Sequence, residues 1–133
     1  MIFVDSNIPM YVAGQEHPNR EPSLRLLERA RAGEIRICSS TEVLQEILYR
    51  YTSIDRREVG YRVYDLFVAL CPVVFPVTLA DTDRAKELLT GVGWPSVRDA
   101  IHAAVMLNHD VTEIATFDRG FDAINGVRRA EFA

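Results

Sequence analysis

The chain has 133 residues, 48% of them hydrophobic and 26% charged. That balance suits one soluble globular domain and excludes a disordered tail, a collagen-like chain and a disulfide scaffold. Nineteen acidic against fifteen basic residues give a formal net charge of -4, which excludes a protein held to nucleic acid by bulk positive charge. All the basic residues but Lys86 are arginine, the better fork for phosphate. Cys38 and Cys71, in apolar surroundings with no partner close in sequence, read as buried reduced thiols. Residues 1–4 are apolar, but Asp5 ends the run and no basic flank precedes it, unlike a secretory signal. The longest apolar run, residues 66–77, contains Pro72 and Pro76 and falls short of the roughly 20 residues a membrane span needs. A cytoplasmic protein without membrane association is expected.

No repeat, linker or low-complexity tract interrupts the chain, so residues 1–133 read as a single domain. Residues 1–4 form an apolar strand, closed by Asp5-Ser6-Asn7, a cluster suited to capping the next helix. Residues 17–22 make a polar break. A helix over 23–32 follows, with Leu24, Leu27 and Ala30 at helical spacing and a stop at Gly33. Residues 35–38 read as a second strand. A helix over 41–51 carries Val43, Leu44, Ile47, Leu48 and Tyr51 on one apolar face, and another over 56–70 ends before Pro72. Residues 73–77 form a third, largely β-branched strand. Asp81 is then placed to cap a helix reaching residue 90. Residues 91–95 are a turn, a helix runs over 96–108, and 112–117 form a fourth strand, with 126–129 leading into a fifth. Short unalternating strands separated by helices predict a parallel sheet covered on both faces. Ligands of such sheets sit beyond the carboxyl ends of the strands.

Acids gather at that rim. Asp5 follows the first strand directly, Asp118 follows the fourth, and Asp99 lies in the first turn of the 96–108 helix. On the 41–51 helix, about 100° per residue places Glu46 near the edge of the apolar face and turns Glu42 away. Each acid also has a local structural reading. Asp5 can cap a helix, Ser96-Val97-Arg98-Asp99 resembles a capping box, Glu46 is spaced to pair with Arg50, and Asp118-Arg119-Gly120 is a turn signal. None of these readings explains why the acids share one rim. Converging carboxylates repel unless a cation joins them, and oxygen donors with waters suit Mg2+ or Mn2+. No Cys/His spacing for zinc is present. Phosphodiester hydrolysis is the natural chemistry of such a site.

Four stretches carry a family resemblance, in order and along essentially the whole chain. MIFVDSN resembles the opening of PIN-domain nucleases, with Asp5 after the strand. STEVLQEILYRY places Glu46 at that family's second acid, SVRDAIHAAVMLNHD places Asp99 at its third, and ATFDRGFD resembles its closing motif, with Phe121 three residues after Asp118. In length the chain resembles the VapC-type toxins of bacterial toxin–antitoxin pairs. The resemblance implies a PIN-like three-layer α/β/α sandwich with a central, mostly parallel twisted sheet. It implies a Mg2+-dependent endoribonuclease, Mn2+ being a possible substitute, with Asp5, Glu46, Asp99 and Asp118 as metal ligands and water-orienting groups. Thr116 matches a position where the family often has a hydroxyl near the site, and Asn7 is an accessory residue on the rim. Cytoplasmic homodimers silenced by a cognate antitoxin are also implied.

An acidic protein must hold RNA through its metal and a few arginines, for which Arg50, Arg56, Arg57 and Arg62 are available; the first three are the leading RNA-contacting residues. Tyr49, Tyr51, Tyr61 and Tyr64 have the rings to stack unpaired bases, but at helical spacing they read mainly as core. Asp122 reads as a solvated helix start, and His102, one turn after Asp99, as a packed or surface histidine. Two other functions fit the same fold class. One is a housekeeping nuclease acting in RNA processing or on DNA. The other is a receiver-like Mg2+-binding signalling domain, which needs a lysine near the acids; the sequence offers only Lys86, in mid-helix.

Overall fold

Short runs, wholly apolar in the first and third, become the five strands β1 (Ile2–Val4), β2 (Ile37–Ser40), β3 (Val73–Phe75), β4 (Glu113–Ala115) and β5 (Arg128–Arg129). The structure is a computed structural model that describes residues 1–91 and 96–132. Six helices connect the strands: α1 (Asn7–Ala13), α2 (Arg20–Arg31), α3 (Thr41–Ser53), α4 (Arg57–Leu70), α5 (Leu79–Leu89) and α6 (Val97–Asn108). A 3-10 turn, Arg119–Ala123, follows β4. The sheet order is β3-β2-β1-β4-β5, and every neighbouring pair is parallel. Helices flank this sheet as the expected α/β/α sandwich; α1 packs on α2 and α4, α3 on α4, and α5 on α6.

The core follows from the strand composition. Phe3, Val4, Ile37, Cys38, Ile114 and Ala115 are wholly buried between the helical layers, with Ile8, Ile47, Phe67, Met106 and Phe121 packed around them. Strands buried on both faces need apolar residues in succession, as the central strand β1 has. α3 and α4 approach closely at Gly60, where a Cβ atom would stand 2.6 Å from that of Tyr51. No helix of the described residues is long and apolar enough to cross a membrane.

Several local expectations are corrected. α2 begins at Arg20, inside the supposed polar break, because Pro22 falls in its first turn, where a missing N–H costs nothing. β2 lies two residues later than expected, running to Ser40, whose side chain accepts from Val43 N and caps α3. Thr78, not Asp81, is the N-cap of α5; Asp81 is the third helical residue and closes a capping box on it. Leu48 is exposed, outside the buried stripe of Val43, Leu44, Ile47 and Tyr51. The Asp5-Ser6-Asn7 cluster gives α1 no side-chain cap; Ser6 holds the cap position with its hydroxyl turned elsewhere. Cys38 is buried but Cys71 only half-buried, and both thiols are free. Of the turn expected over 91–95, all but Gly91 lies outside the described residues.

Candidate active site

The chain steps outward from β1 to β2 and β3, then returns through α5 and α6 to place β4 on the other side of β1. The reversal opens a crevice at the carboxyl ends of β1 and β4, where such sheets bind ligands. Asp5 leaves β1 there, and Thr116 and Asp118 leave β4. α3 and α6 bring Glu46 and Asp99 to the same place. Together Asp5, Glu46, Asp99 and Asp118 line one cleft, whose wall also includes Ser6, Asn7, Tyr49, Arg50, Ser96 and Arg98.

Each acid is held differently. Asp5 is buried; its Oδ2 accepts from the Thr116 hydroxyl at 2.7 Å and from the Asn7 amide at 3.4 Å, and its Oδ1 accepts from Ser6 N at 2.7 Å. Thr116 Oγ1 in turn accepts from Asn7 Nδ2 and Asp118 N, so one hydroxyl ties the ends of β1 and β4 together. Glu46 Oε2 accepts from the Ser6 hydroxyl at 2.7 Å. Its Oε1 lies 2.5 Å from His102 Nε2, a charge contact without the alignment of a regular hydrogen bond. Asp99 stands in the first turn of α6, where Ser96 caps its N–H and leaves its carboxylate free. Asp118 caps the 3-10 turn through Gly120 N at 2.8 Å. Gly120 backs both rim acids: a Cβ there would come within 3.1 Å of Asp118 Oδ1 and 3.5 Å of Asp99 Oδ2.

The electrostatics record the crowding. Burial first, then the facing Asp118 carboxylate, pushes Asp99 up to about 7. Burial also raises Asp5, against the pull of His102 and the Thr116 hydroxyl. Glu46 moves the other way: burial opposes its ionisation, but His102 and Ser6 hold it below the usual carboxylate range. Burial opposes a charge on His102 too, yet the Glu46, Asp5 and Asp99 carboxylates raise its imidazole above the ordinary value. Acids clustered at that cost, with only oxygen donors on the open side, fit a hard divalent cation. Asp5, Glu46 and His102 offer donor atoms within 4.8 Å of one another, and Glu46 Oε1 is buried without a hydrogen-bond partner.

Among the other residues singled out, Asn7 and Thr116 lie in this network, and Arg50 lines the cleft. Arg56 lines an adjoining groove with Tyr11, Tyr51 and Ile54, and Arg57 faces a separate depression with Asp55 and Tyr61, so neither reaches the acids. Arg50 makes no ion pair with Glu46 among the described residues; Ser6 and His102 take that carboxylate instead. Asp122 is exposed and accepts a forked pair of bonds from Arg129, a surface role. Tyr51 is buried and Tyr64 half-buried, whereas Tyr49 and Tyr61 are exposed. Lys86 is on α5 and not among the cleft residues, which removes the phosphate-sensing lysine that a receiver-like domain needs. Sequence reading missed Ser6, Arg98 and Gly120, each hidden behind a cap, a helix start or a turn. His102 was seen, but its contact with two acids was not.

The PIN domain family matches residues 2–127, a stretch that holds all four acids. The chain belongs to the PIN domain family. Within it, the chain is 44% identical over 129 residues to Ribonuclease VapC13 of Mycobacterium tuberculosis, covering 97% of this chain and 98% of that one. The PIN fold recurs in solved structures. One is Mycobacterium tuberculosis VapC20, described as a Sarcin-Ricin loop cleaving toxin (TM-score 0.74, 22% identity, 92% of this chain and 94% of that one). Another is a toxin-antitoxin complex from Klebsiella pneumoniae (TM-score 0.67, 17% identity, 96% of each chain). PIN domains are metal-dependent nucleases, and the acid cleft offers oxygen donors of the kind a divalent cation takes.

Proposed function

We propose that this PIN protein is a divalent-cation-dependent endoribonuclease, Mg2+ being the physiological ion and Mn2+ a substitute. In this reading it is the cytoplasmic toxin of a toxin–antitoxin pair, a homodimer silenced when its antitoxin covers the acid cleft. The single observation that carries it is the convergence of Asp5, Glu46, Asp99 and Asp118 from four different elements onto one cleft. Asp5, Asp99 and Asp118 would hold the ion, with Glu46 beneath them. Once bound, the ion supplies charge neutralisation on the scissile phosphate and lowers the cost of deprotonating a water.

The chain's own residues do the rest. Thr116, Asn7 and Ser6 N fix Asp5 so that its carboxylate meets a ligand in one orientation. Asp99 and Asp118 face each other across the mouth, where they orient the attacking water. Arg50 on α3 and Arg98 on α6 both line the cleft, as forks for the flanking phosphates. The exposed ring of Tyr49 lies next to Arg50 as a stacking surface for an unpaired base.

Purified protein with a single-stranded RNA, with and without excess chelator, tests the reaction. Cleavage that stops with chelator and in a folded Asp5→Asn variant is expected; undiminished cleavage in either overturns it. Inducing the chain alone should arrest growth in an Asp5-dependent way, and RNA ends sequenced after brief induction should show the cut. Unchanged growth would favour a housekeeping nuclease.

A further inference from the structure

His102 is a buried group at the site that nuclease chemistry leaves without a task. It lies one turn after Asp99 on α6 with no exposed surface. Its Nε2 lies 2.5 Å from Glu46 Oε1 and 3.7 Å from Asp5 Oδ1, so it reaches acids carried by α3 and by the end of β1. Neither ring nitrogen has a regular hydrogen bond: Nε2 has these charge contacts and Nδ1 is buried with no partner. Phe3 and Phe121 bracket the ring at centroid distances of 5.7 and 6.5 Å, the second nearly parallel to it. A polar ring sunk this deep without a full complement of hydrogen bonds is costly, and a leucine or methionine would pack among the same aromatic neighbours. The gain must lie in what Nε2 touches.

Glu46 is held on Oε2 by a hydrogen bond from Ser6 and met on Oε1 by the charge contact with His102. Asp99 and Asp118, by contrast, face each other and the cleft mouth. Without Nε2, only the Ser6 hydroxyl, 2.7 Å from Glu46 Oε2 and 3.5 Å from Asp5 Oδ1, would stand between two buried carboxylates, and Glu46 Oε1 would have nothing to hold it. We propose that His102 is a positioning residue that clamps Glu46 against the floor of the cleft and sets its spacing from Asp5, so that the acids meet an incoming divalent cation already in place. This rests on the nuclease reading above. Partners that orient metal-binding groups typically change metal affinity or activity 10–100-fold when removed.

The test compares His102→Gln, whose amide N–H falls where Nε2 stood, with His102→Met, of the same length but without a donor. Mn2+ binding by calorimetry is the readout that does not depend on turnover. His102→Met should weaken Mn2+ binding by about 10–100-fold and lower kcat with KM for RNA unchanged, while His102→Gln recovers most of both. In a Glu46→Gln background His102→Met should cost no further Mn2+ affinity, since the two act through one carboxylate. If His102→Met does not fold, His102→Asn, too short to reach Glu46, replaces it. Wild-type affinity in the donor-lacking variant, or an equal loss in both backgrounds, overturns the proposal and makes His102 a packing residue. Wild-type protein that takes up no Mn2+ overturns the nuclease reading and this one with it. Normal uptake with an indifferent His102 overturns this one alone.

Discussion

Asp81 and Asp5 are both buried acids near the start of a helix, yet their surroundings have opposite effects. Asp81, in the first turn of α5, accepts from Thr78 N at 2.9 Å, Thr78 Oγ1 at 3.0 Å and Asn108 Nδ2 at 2.8 Å. Burial opposes its charge, but those donors hold it below the usual carboxylate range. Asp5 has donors of its own, yet burial, with a smaller push from the Glu46 carboxylate, leaves it raised; burial, then the facing Asp118 carboxylate, pushes Asp99 up to about 7. An acid satisfied by its neighbours stabilises the fold. Acids left facing like charge are waiting for something outside the chain. The predictions below separate the two kinds.

The largest difference is in activity. Asp99→Asn should lower RNA cleavage by about 10³-fold or more, the scale of several kcal/mol of lost charge stabilisation, while the metal-free protein melts no lower than wild type and, with one repelling charge removed, a few degrees higher. Cleavage kinetics beside a melting curve check both halves. A variant that loses activity only because it unfolds would erase the distinction drawn between the two acids.

Asp81→Ala should do the reverse. It strands Thr78 N and the Asn108 amide and removes half of the capping box, at a cost of about 2–3 kcal/mol, or roughly 8 °C in Tm for a chain of this size. Cleavage per folded molecule should stay within about twofold of wild type, since Asp81 lies outside the acid cleft. A tenfold fall in kcat at a temperature where the variant is folded would tie α5 to the chemistry.

The same contrast sets the sign of pH dependence. Burial and the facing Asp118 carboxylate push Asp99 from its ordinary 3.8 up to about 7 in the fold, so folding takes up a proton between those values. Stability from this group is greatest near the lower one and is lost as pH rises to the upper. Asp5, raised by burial, and His102, raised by its carboxylates, push the same way. Asp81, held low, costs stability only as pH falls below its ordinary range near 4. Metal-free protein should therefore melt several degrees lower at pH 8 than at pH 5, and a saturating divalent cation should remove most of that slope. A flat profile without metal would mean that the rim acids do not feel one another.

Which parts of this were legible in the sequence follows from the range of the forces involved. The parallel sheet and the α/β/α layering were readable because burying a parallel sheet on both faces demands unalternating apolar runs, as in MIFV and VVF; the strand order was not, since it is set by how the helices pack. Asp5 and Asp99 were readable because each sits at a fixed place on an element, one residue past β1 and in the first turn of α6. Glu46 was readable from helical phase alone. Ser6 was not, because its hydroxyl was assigned to a local cap and instead reaches Glu46, forty residues away along the chain. Nor was the contact of His102 with Asp5 and Glu46, which exists only once β1, α3 and α6 are packed. Cap positions failed for a different reason. Thr78 and Asp81 form one reciprocal pair, and sequence alone does not say which member sits outside the helix.

The smallest effect concerns the arginines. A bulk electrostatic binder is excluded by the net charge of -4, so RNA contact must come from particular side chains. Arg50 and Arg98 line the acid cleft, whereas Arg57 faces a depression it shares with Asp55 and Glu58. Phosphate contacts position the strand and act through local charge. Arg50→Ala and Arg98→Ala should each raise KM for RNA severalfold, about 1 kcal/mol per exposed contact, with kcat changed less and the difference shrinking as salt rises. Arg57→Ala, with the same change in net charge, should leave KM where it was. Three equal shifts in KM would mean that charge count governs binding; a shift confined to Arg50 and Arg98 would mean that the acid cleft itself is where the RNA backbone lies.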